Sequence, residues 1–124
     1  ETLEYIHLHK TGALLKACVR TGAMIAGADE KLLVALTNYA EGIGLAFQII
    51  DDILDVTASS ETLGKTAGKD LLADKTTYPK LLGLEESKKK ALNLVKKAKE
   101  AIIPWGEDAK YLLSLADFIT NRDR

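Results

Sequence analysis

The chain has 124 residues, of which 47% are hydrophobic, and its formal net charge is −1. This length allows one domain at most, and the apolar content is high enough to build a core, which argues against disorder. The balanced charge, without interleaved basic and aromatic residues, argues against nucleic-acid binding.

Cys18 is the only cysteine, so an internal disulfide is excluded and a reducing, cytoplasmic environment is expected. We expect the Cys18 thiol to pack as a small apolar group. No run of 18 apolar residues and no signal-like amino terminus occur, so neither a transmembrane segment nor a secretory signal is predicted. Because helical periodicity is already present at the first residues, which lack Met, we expect the chain to be cut from a longer one.

The pattern of residues 1 to about 26 predicts one helix, which ends at Gly27. Its polar insertions are His7, His9, Lys10 and Thr11. We expect both histidines to be structural or solvated. The lysine and the adjacent hydroxyl, followed by a glycine, would suit a diphosphate that approaches the backbone.

Asp29 is a suitable N-cap for a second, long helix over about 30–57. Near its end, one stripe of this helix carries the polar residues Gln48, Asp51, Asp52 and Asp55. The opposite side carries Ile49, Ile50, Ile53 and Leu54. Gly42 and Gly44 reduce side-chain bulk where either a neighbouring helix or a ligand must come close.

The three aspartates lie too far inside the helix to act as caps, and like charges four residues apart repel each other. Mg²⁺ is held by one or two carboxylates together with phosphate oxygens, so we interpret the stripe as a magnesium site. A solvated acidic face is the alternative.

A polar, glycine-containing loop follows, and it carries Lys65, Lys69 and Lys75. Lysines beside an acidic helix end could bridge to a metal-bound diphosphate. The loop is not a Walker motif, because Ser59 stands where that motif needs glycine. A solvated loop is the alternative.

Thr77-Tyr78-Pro79 predicts the start of a short helix that ends near Gly83. A helix over 85 to about 103 is expected to end at Pro104, and a last one spans 107 to about 121. In the 85–103 helix the residues expected to face inward are Leu92, Val95, Ala98 and Ile102, and its lysines are expected to form a solvated face. No pattern has period two, so the predicted fold class is all-α.

Several spaced motifs together resemble the trans-isoprenyl diphosphate synthases, over essentially the whole chain. They are His9-Lys10-Thr11, the segment from Phe47 to Asp55, Gly64-Lys65, Asp70, Asp74-Lys75 and Thr77-Tyr78-Pro79. The ending Ala116-Asp117-Phe118-Ile119 with Arg122 resembles the bacterial farnesyl diphosphate synthases, with geranylgeranyl diphosphate synthases close behind.

The resemblance implies a helical bundle of which residues 1–124 are the carboxyl-terminal portion. It implies a Mg²⁺-assisted condensation of isopentenyl diphosphate with an allylic diphosphate through an allylic carbocation. By similarity, Asp51, Asp52 and Asp55 form the second metal motif, with Asp70 in a supporting role. Lys10, Lys65 and Lys75 resemble diphosphate ligands, while Thr11 and Gln48 resemble groups that line the carbocation.

The family's first aspartate-rich motif and its upstream isopentenyl diphosphate ligands have no counterpart in these residues. We therefore predict that the 124-residue chain alone is inactive, although the full-length protein is a prenyltransferase. The alternative is a non-catalytic helical subunit that pairs with an active synthase. A terpene cyclase ranks lower, because Asp52 is followed by Ile53, Leu54 and Asp55 rather than by the cyclase pattern. Exposed helix faces should favour a homodimer or other self-association.

Overall fold

The computed structural model describes residues 1–62 and 76–122, and this part of the chain is helical, with no strand. The helices are α1 (Thr2–His9), α2 (Thr11–Ile25), α3 (Glu30–Thr62), α4 (Tyr78–Leu82), α5 (Leu84–Ile102) and α6 (Lys110–Asn121), with a 3₁₀ segment over Ile103–Ala109. The all-α prediction is confirmed.

Helix α3 is the central element, since each of the other five helices contacts it and α5 contacts it most extensively. Ala46 and Ile49 of α3 are fully buried, and Ile102 of α5 is 1% exposed. Burying each large aliphatic side chain contributes roughly 1.5–3 kcal/mol. The aliphatic side of α3 that the sequence predicted is therefore the side that holds the core.

Tyr39 adds a polar link to this core. Its hydroxyl donates to the carbonyl oxygen of Leu112 at 2.7 Å, which joins α3 to α6. Burial raises the pKa of the Tyr39 phenol to about 12, so it stays protonated and able to donate over the usual pH range.

The prediction of one helix from residue 1 to about 26 is wrong, because the helix breaks at Lys10. The backbone there has φ −101° and ψ −98°, and α2 starts at the next residue. A Cβ on Gly12 would lie 3.0 Å from the carbonyl oxygen of His7, so any larger residue would force the backbone to shift at this tight passage. The residues on both sides favour helix, which is why periodicity did not reveal the break.

The caps predicted from sequence are confirmed. Gly27 has φ +78°, and α2 ends in a Schellman motif in which Ala28 N–H donates to Ala23 O at 2.9 Å. The Asp29 carboxylate accepts the backbone N–H of Leu32 at 2.8 Å at the start of α3.

Three further expectations need correction. Cys18 is exposed rather than packed, and Leu92 is 58% exposed although it was expected to face inward. The last helix starts at Lys110 instead of 107, because the chain kinks at Gly106, whose φ is +57°, between two short 3₁₀ turns over Ile103–Ala109. In addition, α3 is longer than predicted and runs to Thr62.

By length and composition alone, α3 could cross a membrane over Glu30–Ala58, but half of its most apolar window is buried inside the fold. The core helix of a compact protein passes the same test. A transmembrane role is therefore not supported by this feature.

Several large apolar side chains near the α2–α3 connection are exposed, namely Met24, Ile25 and Val34. Exposed apolar patches of this kind commonly mark contact surfaces. Self-association stays a prediction.

Two glycines bring neighbouring helices against α3. A Cβ on Gly42 would lie 3.1 Å from the Cβ of Ala98 in α5, and a Cβ on Gly44 would lie 3.1 Å from the Cα of Gly12 in α2. The sequence left two explanations for each glycine, a neighbouring helix or a ligand. Close helix packing is confirmed for both glycines.

We expect Gly42→Ala to lower the free energy of unfolding by about 1–3 kcal/mol, because the added methyl group cannot fit without moving α5. Gly22→Ala is the matched control, since nothing lies within 4 Å of its Cβ position inside α2. We expect Gly22→Ala to raise the free energy of unfolding by about 0.5–1 kcal/mol. Urea denaturation of both variants measures the difference, and equal effects would contradict the packing argument.

Candidate functional site

Asp51 and Asp55 lie one turn apart in the middle of α3 and face away from the core. The Asp51 side chain is 38% exposed, and Asp55 is exposed. Gly44, Gln48, Asp51 and Asp55 recur at spacings of four, three and four residues, so they share one helix face. This face is the open part of the acidic stripe.

Asp51 forms an ion pair with Arg122, which follows α6. The Arg122 guanidinium carbon lies 4.2 Å from the centre of the Phe47 ring, and an Arg122 nitrogen donates to the Phe47 carbonyl oxygen at 3.4 Å. A cation from the end of the described chain thus already offsets part of the repulsion between the carboxylates.

Asp52 does not share this open face, and that part of the prediction is wrong. It is only 3% exposed. Its Oδ2 accepts the backbone N–H of Tyr78 at 3.1 Å and lies 3.6 Å from Nε2 of His7. A metal role for Asp52 stays a prediction, but the carboxylate is buried and already holds α4.

Tyr78 is buried and has several polar side chains around its ring. Its ring stacks on His7 with centroids 5.7 Å apart, and the Lys90 ammonium lies 5.6 Å from its centroid. Lys90 also pairs with Glu4 at 3.2 Å. Burial raises the pKa of the Tyr78 phenol to about 12, and the negative charges of Glu4 and Asp52 act in the same direction.

The start of α2 lies against the acidic face. Because Gly44 contacts Gly12, the first turn of α2 meets α3 one turn before Gln48. Lys10 is exposed at the break, and Thr11 and Gln48 are partly exposed. The helix start that follows Lys10 therefore packs on the face of α3 that also carries Gln48 and Asp51.

The remaining predicted residues lie outside the described residues. They are Lys65, Lys69, Asp70 and Lys75. Their roles stay predictions.

The carboxylate oxygens of Asp51 and Asp55 fit Mg²⁺, which prefers hard oxygen ligands and usually takes few of them from protein. Within residues 1–62 and 76–122, no three His, Cys, Asp or Glu side chains form a group that could hold a metal. The magnesium site stays a prediction, in which the two aspartates would supply only part of the coordination shell.

Sequence reasoning assigned no role to the contacts of His7, Tyr78 and Arg122. Arg122 is 71 residues from Asp51, so spacing along one helix could not reveal that pair. The polar residue His7 in an otherwise helical pattern was the only local signal, and it did not identify Asp52 as the partner.

A family model described as polyprenyl synthetase matches residues 1–106. A dimethylallyltranstransferase of Fischerella ambigua (strain UTEX 1903) is 55% identical over 98% of this chain and 35% of its own length. A geranylgeranyl diphosphate synthase of Cyanophora paradoxa is 54% identical over 99% of this chain and 41% of its own length.

Among solved structures, a protein of Marinomonas sp. MED121 described as a farnesyl-diphosphate synthase is similar with TM-score 0.79 and 41% identity. The match covers 96% of this chain and 39% of that one. A geranyltransferase of Helicobacter pylori 26695 has TM-score 0.70 and 28% identity over 97% of this chain and 38% of its own. The chain therefore spans somewhat more than a third of the length of these relatives.

We expect Arg122→Gln to strengthen binding of Mn²⁺, used as a spectroscopic probe for Mg²⁺, by about threefold, in keeping with loss of one partly exposed ion pair. The metal no longer has to displace the guanidinium from Asp51. Titration of free Mn²⁺ by electron paramagnetic resonance measures the affinity.

Arg20→Gln is the matched control, because Arg20 bonds to Thr37 at 2.7 Å and not to the acidic face. Asp51→Asn should abolish the site. Unchanged Mn²⁺ affinity in the Arg122 variant would contradict competition for Asp51.

We expect the folded chain to lose stability between pH 10 and 12 partly through Tyr78, because its ordinary pKa of 10.0 rises to about 12 on folding. Below pH 10 the phenol is protonated in both states and its full contribution is present. As the pH rises, the unfolded chain loses this proton first, so the free energy of unfolding falls.

Melting temperatures between pH 9 and pH 12 should therefore fall less steeply in Tyr78→Phe than in the native chain. Tyr111→Phe is the control, since Tyr111 is 78% exposed. An identical slope in Tyr78→Phe and the native chain would refute the prediction.

Proposed function

The chain belongs to the polyprenyl synthetase family, and we therefore propose that a protein that contains this chain and is as long as the relatives joins isopentenyl diphosphate to an allylic diphosphate. The observation that carries the proposal is the open face of α3. There Asp51 and Asp55 follow Gly44, where the start of α2 packs on α3, and Lys10 is exposed just before that start. Carboxylates for a metal and a cation for a diphosphate thus lie on one side of the fold.

In this proposal the carboxylates bind the metal and the lysines bind the diphosphate. Asp51 and Asp55 would hold Mg²⁺, which when bound supplies positive charge that stabilises a departing diphosphate. Lys10 would contact the diphosphate directly as a point charge, together with Lys65 and Lys75. Asp70 would support the metal ligands.

In the proposed reaction the allylic C–O bond breaks, and its electron pair leaves with the diphosphate. The double bond of isopentenyl diphosphate then attacks the allylic carbon, and loss of a proton forms a new double bond. Thr11 and Gln48 would turn their oxygen dipoles towards the developing positive charge, where fixed dipoles stabilise a carbocation.

The length of the product is the finer part of the proposal. Two observations support farnesyl diphosphate as the product. They are the motif Ala116-Asp117-Phe118-Ile119 with Arg122 and the similarity to the Marinomonas protein. The relatives from Cyanophora paradoxa and Capsicum annuum, each 54% identical, are named as geranylgeranyl diphosphate and pyrophosphate synthases and support the longer product. Chromatography of the products distinguishes the two possibilities, because a farnesyl chain has 15 carbons and a geranylgeranyl chain has 20.

A cytoplasmic location is also a proposal, supported by the single cysteine. The relatives bear chloroplastic and mitochondrial names as well, for example those from Capsicum annuum and Arabidopsis thaliana.

The 124-residue chain by itself should be inactive, because the family's first aspartate-rich motif, which the resemblance implies on a helix opposite Asp51 and Asp55, has no counterpart in these residues. The test supplies labelled isopentenyl diphosphate, an allylic diphosphate and Mg²⁺ to the purified chain. We expect no labelled product from the chain, and labelled product from a protein of the relatives' full length that contains it.

Asp51→Asn in that full-length protein should reduce kcat/KM by at least about 100-fold, as expected for loss of a group that stabilises the transition state. Glu100→Gln, on the exposed side of α5, is the matched control for removing one carboxylate. Labelled product from the isolated chain would overturn its predicted inactivity. No product from the full-length protein would favour the alternative of a non-catalytic helical subunit.

A further inference from the structure

His7 is a buried, titratable side chain to which the proposed reaction gives no role. It is 4% exposed, and its Nε2 has no hydrogen-bond partner within the part of the chain that the structure describes. Burying a polar nitrogen without a partner costs free energy, so the arrangement around it calls for an explanation.

The nearest charged group is the Asp52 carboxylate, whose Oδ2 lies 3.6 Å from Nε2. The same oxygen accepts the backbone N–H of Tyr78, and the Tyr78 ring stacks on the His7 ring. His7 from α1, Asp52 from α3 and Tyr78 from α4 therefore form one contact set, which we call the anchor. It ties two short helices to the central one.

The anchor lies next to the groups that carry the proposed function. Asp52 directly follows Asp51 in α3, and His7 precedes Lys10 by one helical turn. The Lys10 N–H donates to Ile6 O at 3.0 Å, so Lys10 is still attached to the last turn of α1. A shift of α1 relative to α3 would therefore move Lys10 relative to Asp51.

A second fixed point holds the other side of the break. Gly12 passes close to the carbonyl oxygen of His7 and also packs against Gly44 of α3. Lys10 and Thr11 are thus bracketed between the anchor on one side and the glycine contact on the other. Two fixed points determine the position of a short segment far better than one.

We propose that His7 is a positioning residue, which acts through the buried carboxylate of Asp52 to hold Lys10 and Thr11 at a set distance from the metal-binding face of α3. Its role towards the diphosphate rests on the proposed function. The anchor itself does not depend on any ligand, so the two parts can be tested separately.

The first experiment uses the ligand-free chain and compares Asp52→Asn with Asp55→Asn by amide chemical shifts. We expect Asp52→Asn to move the signals of Lys10, Thr11 and Tyr78, because the anchor connects them, whereas Asp55→Asn leaves them in place. Shifts from Asp52→Asn that stay within α3 and α4 would overturn the proposal.

The second experiment measures binding of inorganic diphosphate with Mg²⁺ by calorimetry, with the melting temperature of each variant as a check of folding. His7→Leu removes the nitrogen that faces Asp52, and we expect about tenfold weaker binding, as for a buried charge that loses its polar partner. His7→Gln keeps a donor and should bind within about twofold of the native chain.

His9→Leu is the matched control, because His9 is exposed on the same helix and stacks on Tyr5. Equal loss of affinity in the leucine and glutamine variants at position 7 would show a merely structural role and overturn the proposal. If the native chain binds no diphosphate at all, the proposed diphosphate site fails, and the chemical-shift comparison alone decides whether the anchor positions Lys10.

Discussion

The close approach of α2 and α5 to α3 is the constraint on which the rest of the structure depends. At Gly42 and Gly44 a methyl group would meet atoms of the neighbouring helices at 3.1 Å, so both helices pack directly on the α3 backbone. Interiors are packed as densely as organic crystals, and such contacts leave little freedom in the position of a helix. The position of the site is fixed in the same way, because the open face begins at Gln48, one turn after the buried contact at Gly44.

Three aspartates within five residues of α3 have three different surroundings. Asp51 pairs with Arg122, Asp52 is buried beneath α4, and Asp55 faces solvent. One turn of helix is enough to separate these environments, since neighbouring residues point about 100° apart. A motif written as a string of aspartates therefore conceals different surroundings, namely an ion pair with Arg122, a buried acceptor for the Tyr78 N–H and an exposed carboxylate.

Two side chains of α3 form polar links to other helices. Tyr39 joins α3 to α6 through one hydrogen bond, and Asp52 joins α3 to α4. Apolar packing alone is not directional, whereas a hydrogen bond fixes both distance and orientation. The helices beside the proposed site are positioned by such contacts as well as by burial.

The sequence by itself determined the helical class, the long acidic helix and most helix ends. Gly27, Asp29 and Gly83 act through their own backbone or the adjacent turn, so local chemistry was enough to locate those ends. The aliphatic side of α3 was equally readable, because helical periodicity depends only on spacing along the chain.

Only the tertiary structure decided which polar groups meet. Arg122 reaches Asp51 across 71 positions, and His7 and Tyr78 enclose Asp52 from two other helices. The break at Lys10 likewise depends on the passage of Gly12 past His7 and against α3. Pairings between distant residues are fixed by how the helices pack, and no single helix contains the information that sets them.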